Sequence, residues 1–242
     1  MRLGIMQPYF FPYLGYFSLI KHTDQWIVFD TVQYIERGWI NRNRIIHPSK
    51  PEPMYITVPL KKHHQETVIS DILISYDKDY PQNMLSQITT AYKKRAPYYK
   101  TIYDMVEEVV NTSFEDIVSL NVETMRHVCS YLGIPFKYQV FSKMNLSIDA
   151  VCAPGDWAFN ICKAMGADGY INPISGRALF DPQKFENAGI SLEFLKIHQQ
   201  EYPQKKATFL DSLSIIDVLM FNSPDRVNEM LDDYELISGR EG

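Results

Sequence analysis

Hydrophobic and polar positions alternate along this chain with two different periods. Residues 2–6 form a short apolar run that predicts a buried strand, ended by Gln7-Pro8. Pro8 and Pro12 bracket Tyr9-Phe10-Phe11 and keep that piece extended, because proline fixes its own φ and turns its predecessor away from helix. Leu14, Phe17, Leu19 and Ile20 then recur at helical spacing, and the helix is expected to stop near His22-Thr23-Asp24. Trp26 to Asp30, aromatic and β-branched up to the terminal acid, predicts a second strand. Strand, loop, helix and strand in quick succession make a βαβ unit, and therefore a parallel sheet with a right-handed crossover.

Residues 31–50 lack either period and read as a loop dense in functional side chains. Strands are expected at Met54 to Leu60 and at Val68 to Ile74, joined by the basic, polar run Lys61 to Gln65. From Tyr80 to Gly133 the period turns helical, with helices expected over 81–95, 98–111 and 114–132. Pro97 separates the first two, Thr112-Ser113 offers an N-cap for the third, and Gly133 suits a left-handed C-cap. A strand at Phe136 to Phe141, a helix from Pro154-Gly155 to Gly166, and strands at Tyr170 to Pro173 and Leu192 to Ile197 follow. Helical pieces over 214–221 and 224–233 end the pattern. Residues 1–79 and 134–242 thus read as two halves of one α/β domain, and residues 80–133 as a helical block packed on or beside it. In such a fold, ligands sit at the carboxyl ends of the strands.

Composition narrows the picture. The 242 residues are 45% hydrophobic, enough for a substantial core without staples. A net charge of −5 gives no general pull toward nucleic acid, and no apolar run nears the ~20 residues of a membrane span. The N-terminus does not read as a signal peptide. Three unpaired-looking cysteines (Cys129, Cys152 and Cys162) argue against a disulfide framework and read as small buried residues, which suits a reducing, cytoplasmic setting. Aromatic residues reach 13%, with 16 Tyr, and tyrosine joins a stacking face to a hydrogen-bonding tip.

Three constellations carry candidate chemistry. The first is Gln7, Tyr9, Tyr13, Gly15 and Tyr16, on a stiff loop between a first strand and its helix, where α/β proteins bind nucleotides and phosphates. Gly15 would admit a close ligand or another backbone; a tightly packed aromatic cap on the sheet is the plainer reading. The second is Asp30 and Gln33 with Trp39, Arg42, Asn43 and Arg44: a carboxylate at a strand end, a stacking face, and guanidinium donors suited to carboxylate or phosphate. A solvated turn with surface arginines is its plainer reading. The third is Asn172, Ser175 and Gly176 after a strand, able to offer donors to an anion or to form an ordinary turn. His63-His64, being adjacent, point to opposite sides of an extended chain, and no metal site is expected.

The opening Met-Gln-Pro-Tyr-Phe-Phe-Pro-Tyr-Leu-Gly-Tyr-Phe, with Trp39-Ile40-Asn41-Arg42-Asn43-Arg44, Tyr170-Ile171-Asn172-Pro173-Ile174-Ser175-Gly176 and Leu213-Ser214-Ile215-Ile216-Asp217, resembles the WbqC family. That resemblance spans residues 1 to about 234 and implies a setting in bacterial O-antigen and surface-polysaccharide clusters, with amino-sugar decoration. Residues 2–16 are also distantly similar to the first strand, loop and helix of the nucleotidylyltransferase and pantothenate-synthetase superfamily, which implies a parallel Rossmann-like, HUP-type sheet with a helical annex. Tyr13 and Tyr16 stand where that superfamily has its two ATP-contacting histidines, and Ser175-Gly176-Arg177 matches its later phosphate motif loosely.

Three functions fit these residues. The first is a transferase or ligase that forms an amide, adding an acyl or aminoacyl group such as glycine to a nucleotide-linked amino sugar. Asp30 would serve as general base, Arg42 and Arg44 would hold diphosphate or carboxylate, and Asn43, Asn172 and Ser175 would donate to the oxyanion. The donor would be ATP-activated or a thioester. The second is a non-catalytic sugar-nucleotide or glycan binder of the same pathway, and the third an ATP-dependent nucleotidyltransferase-like enzyme. The expected partner is a nucleotide sugar or related small molecule, with no nucleic acid; self-association into a homo-oligomer stays open.

Overall fold

A computed structural model describes residues 1–240. In chain order the elements are β1 (Arg2–Met6), α1 (Leu14–Lys21), β2 (Gln25–Val28), β3 (Arg42–Ile45), β4 (Met54–Thr57), α2 (Tyr80–Tyr92), α3 (Tyr99–Asn111), α4 (Ile117–Leu132) and β5 (Tyr138–Val140). Then come α5 (Asp156–Met165), β6 (Gly169–Pro173), α6 (Pro182–Asn187), β7 (Ser191–Ile197), α7 (Ile215–Phe221), α8 (Pro224–Asp232) and β8 (Tyr234–Ser238). Six strands form one sheet in the order β5-β2-β1-β6-β7-β8, parallel except for the β7–β8 pair. Counted along the chain this is 3-2-1-4-5-6, the doubly wound Rossmann-like order. No helix among the described residues is long and apolar enough to cross a membrane.

The sheet is covered on both faces, which is why β1 at its centre and β6 along its length are buried continuously rather than at alternate residues. Side chains still divide by period two. Leu3, Ile5, Ile27, Tyr170, Leu192 and Phe194 face a smaller core with α5 and α6. Trp26, Val28, Ile171 and Leu195 face a larger core with α1, α7 and α8. The helices of 80–133 bury Leu85, Ile88, Ile102, Val106, Leu120 and Met125 in that same larger core.

α2 and α4 are capped by Asp79, which accepts from the Gln82 amide at 3.2 Å, and Asp116, which accepts from the Ser119 amide at 2.7 Å. Asp116, and not Thr112-Ser113, is therefore the α4 cap; Thr112 Oγ1 donates back to the Glu108 carbonyl at the end of α3. Gly133 closes α4 in the left-handed region as expected (φ 69°).

Four local expectations are corrected. The loop expected over 31–50 contains β3, which pairs antiparallel with β4 from Arg42↔Thr57 to Ile45↔Met54. Its alternation is real but concealed, because Asn43 and not a hydrophobic residue takes an inward position beside Ile45. Val68 to Ile74 is not a strand but a 3-10 turn over Ile69–Asp71 flanked by single bridges, Gln33↔Val68 and Leu60↔Ile74. α6 and β8 were not anticipated: α6 has one buried residue, Phe185, and β8 is an edge strand, mostly half-exposed. Cys152 is exposed, unlike the buried Cys129 and Cys162, whose thiols burial pushes up to about 12.

Candidate functional site

The connection from β1 to α1 is held in an unusual shape. Phe11 has φ of 39°, a left-handed conformation that a bulky side chain adopts only when its surroundings impose it. Those surroundings are specific. Asn43 Nδ2 donates to the carbonyls of Phe10 (3.0 Å) and Phe11 (2.8 Å), and Ser214 Oγ donates to Phe11 as well (2.8 Å). Asn121 Nδ2, fully buried on α4, donates to the carbonyls of Pro8 and Ile40. The Phe10 and Phe11 side chains are buried, so Tyr9 and Tyr13 are left facing outward, half-buried.

A two-lobed cleft opens where this loop meets the carboxyl end of β6. Strand order reverses between β1 and β6, and such a switch point leaves a crevice beyond the strand ends. The larger lobe, about 590 Å³, lies between Gln7, Tyr9, Phe29, Trp157, Asn172 and Phe180. The smaller, about 300 Å³, lies between Tyr9, Tyr13, Trp39, Asn43, Arg44 and Ser212. Met6, Tyr9, Pro173 and Ser175 line both lobes and form the waist. Phe29 and Trp157 pack ring to ring at 5.2 Å on the larger wall.

After β6, Asn172 turns its amide onto Tyr170 Oη at 2.6 Å, and the 174–179 turn folds over it. Gly176 is required there: a Cβ would lie 2.2 Å from Asn172 Oδ1.

The cleft thus gathers Gln7, Tyr9, Asn172, Ser175 and Gly176 in one lobe and Tyr9, Tyr13, Trp39, Asn43, Arg44 and Ser175 in the other. The remaining sequence candidates lie elsewhere. Asp30 is buried and lines neither lobe; it accepts from the Ser142 amide (3.0 Å) and hydroxyl (2.6 Å), tying the end of β2 to the chain after β5. Arg42 donates to the carbonyls of Gly38 and Arg37 and lies 4.3 Å over the Tyr55 ring. Gln33 is exposed and donates to the Gln65 carbonyl. Tyr16 is in the core, its hydroxyl donating to the Gln7 carbonyl at 2.7 Å. Gly15 lines neither lobe and lies against the Tyr13 ring, 2.6 Å from where its Cβ would stand. Phe29, Cys152, Trp157 and Ser212 were not singled out from the sequence as lining residues. Only the alternation of β2, the start of α5 and the switch-point geometry point to them.

Electrostatically the cleft is nearly empty of charge. Among its described lining residues, Arg44 is the only one formally charged. Its Nη2 donates to the Ser212 carbonyl at 3.1 Å, its Cζ lies 5.3 Å from the Trp39 ring centre, and its Nε is buried without a hydrogen-bond partner. Burial raises Tyr9 above the usual tyrosine range and pushes Tyr13 up to about 12, so both phenols stay protonated at neutral pH and can donate. Two other depressions carry ion pairs already satisfied, Lys184–Asp156 and Arg240–Glu186.

The 199–213 segment, whose Ser212 lines the smaller lobe, is latched to a buried carboxylate. Asp217 accepts from Tyr92 Oη (2.6 Å), Tyr202 Oη (2.8 Å) and Gln204 Nε2 (2.9 Å). Burial raises its pKa to about 6, against the lowering effect of those donors.

No solved structure gives a significant match to this chain. A Mycobacterium tuberculosis protein described as uncharacterized protein Rv1507c is 28% identical over 228 residues, covering 91% of this chain and 93% of the relative. The sequence profile described as the WbqC-like protein family matches residues 7–229. That span starts at Gln7 on the larger lobe, takes in the clamps from Asn43, Asn121 and Ser214, and ends within α8: the chain belongs to the WbqC-like protein family.

Proposed function

We propose that the cleft binds a nucleotide-linked amino sugar and that the protein forms an amide on the sugar amine, taking an acyl or aminoacyl group from an ATP-activated or thioester donor in surface-polysaccharide synthesis. The observation that carries the binding half is the switch-point cleft itself, with aromatic rings for stacking and neutral amides for sugar hydroxyls. An ammonium must lose a proton before it attacks. With Asp30 engaged by Ser142, the uncharged lobe supplies another means: desolvation lowers the amine pKa and favours the neutral nucleophile. Attack forms the C–N bond and breaks the bond to the donor's thiolate or AMP. The second proton leaves the nitrogen with the departing group or to solvent. Protonated Tyr9 and the Ser175 hydroxyl, both at the waist, are the available donors to the developing oxyanion.

A second reading, a sugar-nucleotide binder without catalysis, is favoured by one observation: no described lining residue is a carboxylate or histidine. Mass spectrometry of a panel of nucleotide-linked amino sugars, incubated with the protein and either ATP plus glycine or acyl-thioesters, separates the two. A mass gain on the sugar supports transfer. Saturable binding with no mass gain across the panel supports the binder, and a panel that gives neither binding nor mass gain refutes both.

A further inference from the structure

The division of the cleft assigns its parts different tasks. The larger lobe has no charged residue on its described wall, so it cannot supply the main recognition of an anion through a side-chain charge. The smaller lobe has one, and that residue is under-used. Arg44 comes from the antiparallel pair of β3 and β4, with Trp39 beneath its guanidinium and Ser212 as its one hydrogen-bonded acceptor. A guanidinium offers five N–H donors in a fixed fork. Here one Nη group is satisfied by a neutral carbonyl, and the buried Nε has no partner. A cation held at the edge of an apolar cavity, in a chain of net charge −5, with no carboxylate on the cavity wall, is short of a counter-charge. Tyr13 and Tyr9, both kept protonated by burial, add neutral donors around the same space.

Arg42 takes no part. It is two residues away on the same strand and on the same side, but it is occupied by Arg37, Gly38 and Tyr55. We infer that the smaller lobe is an oxyanion subsite built on Arg44, taking a phosphate or carboxylate group of the ligand. Trp39 forms its floor, and Tyr9 and Ser175 mark its boundary with the larger lobe. The ligand is then bipartite: an uncharged ring-bearing part against Phe29 and Trp157, and an anionic part against Arg44. This deepens the reading of the cleft as a sugar-nucleotide site and partly rests on it, but the subsite can be tested without any sugar nucleotide.

The three tryptophans are placed to report separately: Trp39 in the smaller lobe, Trp157 in the larger, and Trp26 in the core. The full chain labelled with 5-fluorotryptophan is titrated, with ionic strength held constant by chloride, using inorganic diphosphate in one arm and acetate in the other. ¹⁹F NMR follows the signals, assigned by single Trp→Phe variants. The expected result is a saturable shift of the Trp39 signal alone, in the diphosphate arm for a phosphate subsite and in the acetate arm for a carboxylate one. Arg44→Gln is expected to weaken that binding by about tenfold or more, whereas Arg42→Gln stays within about twofold. Where Arg44→Gln fails to fold, Arg44→Lys keeps the charge without the fork and is read in the same way. No saturable Trp39 shift with either anion, or an Arg44 variant that binds as tightly as the native chain, overturns the proposal. If the anions titrate but a uridine diphosphate-linked amino sugar leaves Trp157 unmoved, the sugar-nucleotide reading falls and the subsite stands.

Discussion

Replacing Asp217 with Asn isolates the energetics of the buried carboxylate that latches the 199–213 segment. In the unfolded chain this carboxyl titrates near 3.8, whereas in the folded protein burial raises it to about 6. A raised pKa means that the folded state holds the proton more tightly. The resulting stability is fully present below pH ~4 and is lost as pH rises through about 6. At 1.36 kcal/mol per tenfold in proton affinity, the loss is about 3 kcal/mol across that window. Other groups titrate over the same range, so the informative quantity is a difference. Urea unfolding of the native chain and of Asp217→Asn at pH 4, 5, 6, 7 and 8 gives two stability curves. The native-minus-variant difference should fall by about 2.4 kcal/mol between pH 4 and pH 7, most of that total, and then level off. The variant also exchanges a carboxylate for an amide opposite Tyr92, Tyr202 and Gln204, but that offset does not vary with pH. A difference that stays flat from pH 4 to pH 8 would refute the reasoning, since it would mean that Asp217 has the same proton affinity folded and unfolded.

Asn43→Ala removes two donations and leaves the Phe10 carbonyl without a side-chain donor, while the Phe11 carbonyl keeps Ser214; a loss of about 2–3 kcal/mol in urea unfolding is expected. Asp30→Asn should cost roughly 1–3 kcal/mol in stability, by weakening the tie to Ser142, yet change ligand affinity by less than about twofold in calorimetry. A normal unfolding curve with abolished turnover would instead restore Asp30 as a base. Gly176→Ala forces the 174–179 turn off Asn172, so weaker ligand binding is expected with a melting temperature lowered by only a few degrees, about 1–2 kcal/mol. A variant that binds like the native chain would show that this turn is not part of the wall.

Much of the frame is legible from one-dimensional signals. Pro8 and Pro12, the apolar run of β1 and the helical period of α1 to α4 are local, and local chemistry dictates them. β3 is not local in that sense. Asn43 fills an inward position because loop carbonyls some thirty residues earlier need donors, and nothing near Asn43 announces them. Likewise, the strand-end position of Asp30 lies at the edge of the sheet where the cleft opens, next to Phe29 on its wall. Its side chain is nonetheless claimed by Ser142, 112 residues later, a pairing that exists only once β5 docks on β2. Arg42 and Arg44 look equivalent along the chain, and neighbours from other segments separate them: Tyr55 covers one, and Trp39 and Ser212 frame the other. Sequence pattern therefore locates the edge of the sheet where the cleft forms, and tertiary pairing decides which side chains remain free to face it.

The clamped Phe11 loop has a consequence for how the cleft breathes. Functional loops commonly open at a fraction of the global unfolding cost. This one is pinned from β3, from α4 and from the start of α7, by bonds spanning 32, 113 and 203 residues of chain. Letting go of it means releasing three elements that share one core. The Phe10 amide, which donates to the Trp39 carbonyl at 2.9 Å, should therefore exchange with solvent on the timescale of the innermost strands, and a ligand that fills the cleft meets a wall whose ordering was completed during folding.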